Sequence, residues 1–315
     1  MSSTTLDEPI VRPSTSPAQR LRAEMAAVRL SLSWLGVRKA LTEQQKEQAA
    51  VAFDAERNCL SAGKKLLDTR HPAYQAITAI KGRVIGYWKG MTVPFPEPAI
   101  RLIRQDSVDT FGSQMITFQE ELAEAVERLD EHYDELKALA RRQLGSLYDA
   151  TDYPPRLQGL FLIEWDYPSV EAPRYLQQLN PELYEQQCTR VAARFDEAVR
   201  LTEAAFIEEF ANLIDHLKER LAGQDDGQPK VFRDSAVGNL AQFFERFRQL
   251  NIHSNDQLDE LVEQAQHIVQ GRNPQQLRDN NTLRQSVATQ LTEVQNALDE
   301  LLVDRPRRNI LRRPQ

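Results

Sequence analysis

Between Ser107 and Leu147 apolar side chains recur at Phe111, Met115, Phe118, Leu122, Val126, Leu129, Tyr133, Leu136, Ala140, Leu144 and Leu147, always three or four positions apart. Spacing of that kind lays one apolar stripe along a helix, and the Glu, Asp, Arg and Lys between those positions keep the opposite side wet. About 40 residues at 1.5 Å each predict a rod of roughly 60 Å. A second run opens at Asn180-Pro181, a cap followed by a first-turn proline, and carries its stripe from Tyr184 and Cys188 through Phe195, Phe206 and Phe210 to Leu221. It stops at Gly223. Neither stripe is stable in water, so the pattern predicts that the two rods zip into a long antiparallel coiled-coil hairpin spanning 107–222.

The 30 or so residues between the rods differ in kind. Tyr153-Pro154-Pro155, then Leu160 to Pro168, then Pro173 and Tyr175 exclude a continuous helix, because each proline removes a backbone donor and clashes with the preceding turn. The apolar and aromatic run between the prolines suits a short strand or packed loop, a small tip subdomain over 151–180. Tyr153, Phe161, Trp165, Tyr167 and Tyr175 are its candidate partner-binding residues. Local core is the competing reading for Phe161 and Trp165.

Upstream, Val28, Leu30, Leu32 and Trp34 alternate with Arg29, Ser31 and Ser33, the two-residue period of a strand with one buried face. Ile100 to Ile103 is a candidate partner strand. Thr42 to Gln45 forms a capping box that opens a helix toward Cys59 and Leu67, and Pro72 starts another. Downstream, helices are expected over Asp234–Leu250, over Ser254–Gln270 with Gly271 as its stop, and over Pro274–Leu302. The whole reads as a mainly α protein, with residues 18–106 and 223–303 forming a helical base that includes a short β-sheet. Residues 1–17 read as a disordered tail, the segment 223–229 as a loop, and 304–315 as a basic tail.

Composition narrows this picture. Two cysteines, Cys59 and Cys188, make no disulfide framework and fit a reducing, cytoplasmic setting. No stretch approaches the ~20 uninterrupted apolar residues of a transmembrane helix. The formal charge of -7 argues against general affinity for nucleic acid. The exception is the final twelve residues, where Arg305, Arg307, Arg308, Arg312 and Arg313 could meet an acidic partner or a phosphate backbone.

Candidate chemistry is sparse. His132 and His216 sit on the two rods, yet neither follows a glutamate by three positions, as a di-iron bundle requires. His71, His253 and His267 have no cysteine or carboxylate at zinc spacing. Gly63-Lys64-Lys65 fails both ends of the phosphate-loop pattern. Gly82, Gly86 and Gly90 recur every four residues, which on a helix makes a smooth groove for a close neighbour, or a flexible joint. The pairs Glu120-Glu121 and Glu208-Glu209 point in different directions on a helix and read as solvated faces. No metal, cofactor or catalytic residue is therefore expected.

Trp34 to Thr42, the Gly86 to Pro94 stretch ending in Thr92-Val-Pro94, the long helix, and the proline-plus-aromatic insertion together resemble a family of bacterial and phage proteins that carry a domain of unknown function. That resemblance implies gene neighbours of the MoxR-type AAA+ ATPase and von Willebrand A types, and hence a non-catalytic component of such a module. The expected function is a protein-interaction adaptor whose tip engages a partner, the AAA+ ATPase among the candidates. Oligomerisation is left open. The alternatives are nucleic-acid binding through the arginine tail and a membrane-active helical protein that inserts its apolar tip.

Overall fold

The computed structural model describes residues 15–222, 235–271 and 274–303. The described chain is mainly helical with a small antiparallel β component. In chain order it begins with helix α1 (Pro17–Glu24), strand β1 (Met25–Ser33), β2 (Arg38–Ala40), α2 (Glu43–Ala52) and β3 (Gly63–Lys65). Then come α3 (Pro72–Gly90), β4 (Thr92–Pro94), β5 (Ile100–Arg104), α4 (Val108–Glu131), α5 (Tyr133–Leu144) and β6 (Leu162–Asp166). The remainder is helical: α6 (Tyr175–Leu179), α7 (Pro181–Ala222), α8 (Ser235–Leu250), α9 (Asp256–Val269), α10 (Pro274–Asp279) and α11 (Asn281–Val303). Two compact units divide the chain, one from 1–27, 92–105 and 169–315, the other from 28–91 and 106–168.

The first unit is organised on α7, whose 42 residues span about 63 Å. Its start is the expected one: Asn180 Oδ1 accepts from Leu183 N at 3.0 Å and Pro181 follows. Helices α1, α6, α8 and α11 and strand β4 pack on it, and α9 packs on α8 and α11. The centre is aromatic. Phe210 stacks on Phe243 at 5.1 Å, and Phe206 meets Phe247 edge-on at 5.0 Å. Val287, Leu291, Val294 and Leu298 close the other side, all fully buried. Such ring pairs each contribute about 0.5–1.5 kcal/mol beyond the area they bury.

Polar caps set the ends of the shorter helices. Ser16 and Pro17, expected in a disordered tail, instead open α1 with a reciprocal capping box to Gln19. The helix expected from Ser254 is capped by Asn255, whose Oδ1 accepts from Leu258 N, and Gly271 ends the turn after it at φ +72°. The single helix expected over 274–302 is broken at Asn280, whose side chain accepts from Leu283 N and so starts α11 anew. Residues 1–14, the loop expected at 223–229 and the tail at 304–315 lie outside the described residues.

In the second unit α3 packs on α4. Tyr87 stacks on Phe111 at 5.7 Å and meets Phe118 edge-on, while Ile77, Ile80 and Val84 are buried beside them. The stripe expected along 107–147 is buried from Phe111 to Ala140. The rod itself is interrupted at His132, so α4 and α5 are two helices that share one apolar side. Gly145 closes α5 at φ +53° and ψ -122°, a conformation open to glycine and strained for any other residue.

Strand β1 forms where the alternation placed it, and its partner is β6, the apolar run between the prolines. Leu30 faces Trp165 and Leu32 faces Ile163 on the covered side, while Arg29 lies opposite Asp166 on the wet side and pairs with it. Ile100 to Arg104 is a strand as expected and is registered antiparallel with β4. The helix that starts at Thr42, with its capping box in place, ends at Ala52 rather than running on toward Leu67, because residues 63–65 form β3 and pair with β2.

Each long helix finds its neighbours within its own unit: α4 meets α3, and α7 meets α8 and α11. The coiled-coil hairpin between the two is not confirmed. A stripe in sequence specifies that a face must be covered and leaves open what covers it. The glycine groove on α3 is corrected: a Cβ placed at Gly82, Gly86 or Gly90 would meet nothing within 4 Å.

Candidate functional site

Of the five tip residues, the second unit covers two. Tyr153 is buried and its hydroxyl donates to Leu66 O at 2.9 Å, and Phe161 is buried edge-on against Trp34 at 5.6 Å. Trp165 is half-buried and hydrogen-bonded to the Tyr167 hydroxyl, and Tyr167 is exposed. Tyr175 belongs to the first unit, where it is exposed together with Leu179 and Leu183 on α6 and the start of α7. The five are therefore divided between the two units. Arg305, Arg307, Arg308, Arg312 and Arg313 lie outside the described residues.

A different surface gathers around Phe161. One wall is α4, from Gln119 to Asp130, and the other is the stretch from Arg156 to Ile163, with about 530 Å³ between them. Leu122, Val126, Phe161 and Ile163 form an apolar floor, and Leu162 stands at the mouth, 40% exposed. Gln119 donates to Ile163 O at 2.7 Å and Asp130 Oδ1 accepts from Leu157 N at 3.0 Å, so two polar links hold the walls together. Gly159 makes the bend between them at φ +80°. The rim is acidic: Glu124, Glu127 and Asp130 stand against one cation, Arg156. Arg128 reaches Glu124 only loosely, at 3.7 Å across one exposed helical turn. The spacing 124, 127, 130 puts the three carboxylates on one helix face, an i, i+3 signal present in the sequence but hidden by the many other solvated acids.

The second unit also holds an ion cluster in which Asp152 and Lys64 are covered and Lys39 is exposed. Lys39 and Lys64 are directly opposite across β2 and β3, an arrangement of like charges that disfavours pairing unless something neutralises it. Asp152 does so. Its side chain is fully covered, Lys39 Nζ bonds its Oδ1, and Lys64 Nζ lies 2.6 Å from its Oδ2. Lys64, itself 5% exposed, also donates to Leu147 O at 2.7 Å. Hydrogen bonds from Lys39 and then Lys64 hold the Asp152 carboxyl below the usual carboxylate range. Nearby, burial pushes the Tyr133 and Tyr153 hydroxyls up to about 12. These hydroxyls stay protonated at neutral pH, and Lys64 Nζ lies within reach of both Asp152 Oδ2 and Leu147 O. The arrangement clasps the β2–β3 ribbon onto the segment 147–153.

In the first unit, burial and the nearby Arg246 lower the Arg101 guanidinium to about 10, and it donates to Thr92 Oγ1 and Thr92 O. His253 Nδ1 lies 2.7 Å from Asp259 Oδ2, while Asn251 Nδ2 bonds Asp259 Oδ1 at 2.6 Å. Arg20 fastens this turn by donating to Ile252 O and His253 O. The cleft beside it is lined by Arg, Glu, Asn, Gln, His253 and apolar groups.

His71 and His132, distant in sequence, come to 5.1 Å between ring centroids, a contact that helix spacing does not reveal. Among the described residues no group of three or more His, Cys, Asp or Glu is placed to hold a metal ion, and no helix is long and apolar enough to cross a membrane. No family model matches the chain, and no curated protein and no solved structure is similar enough to it to count as a match.

Proposed function

We propose that this chain is a non-catalytic adaptor that binds a basic segment of a partner polypeptide in the cleft along α4. The observation that supports it is the pairing of an apolar floor with three carboxylates on one rim. Apolar floors supply binding free energy, and charge of one sign selects the partner and speeds its approach. Among the described residues β6 is an edge strand paired with β1, and Gln119 on the α4 wall donates to its Ile163 O. Of the candidate tip residues, Phe161 belongs to the cleft floor, whereas Tyr153, Trp165, Tyr167 and Tyr175 are not among the residues that line the cleft. The family resemblance of the Trp34 to Thr42 and Gly86 to Pro94 stretches makes a MoxR-type AAA+ ATPase the partner to test first.

Titration calorimetry of the purified chain against such an ATPase is the test. Binding should weaken at least tenfold in a Glu124→Lys/Glu127→Lys variant, whose substitutions lie on an exposed helix face, and circular dichroism should show its fold retained. Undiminished affinity in the charge-reversed variant would remove the cleft from the interface.

A further inference from the structure

The acidic cleft and the basic end of the chain are complementary in three respects. The first is charge. The cleft's rim carries three carboxylates against Arg156, whereas residues 304–315 carry five arginines against Asp304. The second is the apolar anchor. Ile310-Leu311 is the apolar pair in that segment, and it is flanked by Arg307-Arg308 on one side and Arg312-Arg313 on the other. The floor of Leu122, Val126, Phe161 and Ile163 is of the chemistry to receive it.

The third is spacing. Three carboxylates at i, i+3 and i+6 on a helix span about 9 Å at 1.5 Å per residue. Arginines four positions apart on an extended segment, Arg308 and Arg312, are separated by about 13 Å at 3.3 Å per residue. Long, jointed guanidinium side chains easily close that difference, and Ile310, which shares a face with Arg308 and Arg312 on an extended segment, would meet the floor between them.

We infer that the cleft along α4 is a docking site for residues 304–315 of a second copy of this chain. The inference rests on the reading of the cleft as a peptide site and names one occupant for it. The two surfaces are different patches, so the association is head-to-tail. A partner's basic segment would then compete with self-association for the same carboxylates, and the free adaptor would hold its own site covered until that partner arrives.

The test uses the full chain. Sedimentation equilibrium at 0.1 M salt should show average mass rising with concentration, and an Ile310→Ser/Leu311→Ser variant should remain at 36 kDa throughout. A fluorescein-labelled peptide of residues 304–315 should bind that variant, read by anisotropy. It should bind the same variant at least tenfold more weakly when Glu124→Lys/Glu127→Lys is added, and Glu124→Gln/Glu127→Gln should fall between. A peptide with Ile310 and Leu311 both replaced by serine should lose at least tenfold, because arginines alone would give only nonspecific attraction.

Equal binding of the two peptides, or a wild-type chain of constant mass, overturns the inference. So does tighter binding of the labelled peptide to a 20-base-pair DNA duplex than to the chain, which would make the tail a nucleic-acid arm. If the peptide fails while the ATPase still binds in a manner sensitive to Glu124 and Glu127, the tail is wrong and the cleft stands. If both fail, the cleft reading falls with it.

Discussion

Helices α7 and α4 are both long and both amphipathic, yet they meet different chemical ends. On α7 the apolar side is consumed by its own unit: Phe206, Phe210, Ile214 and Leu217 are covered by α8 and α11 and contact other apolar groups. On α4 the inner side is covered by α3, while the flank from Gln119 to Asp130 borders a cleft whose far wall, residues 156–163, bends at Gly159 and runs into β6. The difference separates two uses of one periodic pattern. A stripe covered by other helices reports architecture, whereas a cleft that borders charges of one sign is what the proposed recognition requires.

The sharpest way to break this contrast is to attack the aromatic centre on α7. Phe243 is 1% exposed, stacks on Phe210 and Phe247, and meets Phe206 and Phe244 edge-on. Phe243→Ala should cost about 3–5 kcal/mol, because the void cannot be refilled without moving four other rings. Urea titration followed by circular dichroism would show it. A cost below about 1 kcal/mol would mean that the first unit is loosely packed and that the contrast with the cleft is one of degree.

Next in size is the clasp, which fastens the β2–β3 ribbon to the segment 147–153 by charge. All three tryptophans, Trp34, Trp88 and Trp165, belong to that unit, so tryptophan emission follows it. Asp152→Ala leaves Lys39 and Lys64 opposed with nothing between them, and removing one partner of a covered ion pair costs about 3 kcal/mol. Lys64→Met together with Asp152→Leu should recover much of that loss, since apolar groups of similar volume replace a covered pair at little net cost.

The clasp also has a pH signature. The Asp152 carboxyl is held below its ordinary value of 3.8 by hydrogen bonds from Lys39 and Lys64. A depressed folded pKa means that the stabilisation is present above about pH 4 and disappears as pH falls through the folded value. The stability gap between wild type and Asp152→Asn, read by tryptophan emission in urea, should therefore be constant from pH 7 to about 5 and close below about pH 4. A gap that persists at pH 2 would assign the effect of the substitution to packing.

Much of the fold was legible because it depends on local chemistry. The period of three and four along 107–147, the alternation from Val28 to Ser33, the Asn180-Pro181 start and the Thr42 capping box each specify helix or strand by themselves, and that type of structure forms at each, although 107–147 divides into α4 and α5 and the Thr42 helix stops at Ala52. What covers each face was not legible, because α4 and α7 offer similar stripes and sequence spacing does not distinguish α3, α8 or α11 as partner. Breaks at His132 and Asn280 escaped for a related reason: the apolar period continues through both, and the interruption comes from one residue's backbone or side-chain bond. The cleft escaped because its walls come from α4 and from residues 156–163, joined by Gln119 to Ile163 and Asp130 to Leu157. Lys64 was passed over as a failed phosphate loop, since its partner Asp152 lies 88 positions on.

The smallest expected effect concerns the outer side of α3, a third use of helical periodicity beside the covered stripe and the open cleft. Gly82 and Gly86 lie inside the helix, and a Cβ at either would meet nothing within 4 Å. Glycine in a helix interior is less stable than alanine by about 0.5–1 kcal/mol, mainly because the unfolded chain has more freedom to lose. With no steric opposition, Gly82→Ala and Gly86→Ala should each stabilise the second unit by about that amount, read from the tryptophan-emission midpoint in urea. The sign decides the meaning of the spacing. A gain says that the four-residue repeat serves no contact within the unit, whereas a loss would show a neighbour seated closely against the bare backbone, as the groove reading of the sequence requires. A gain in stability accompanied by weaker binding of the proposed AAA+ ATPase partner would place that neighbour on the partner, and would extend the proposed recognition surface from the acidic cleft on α4 to the adjoining helix.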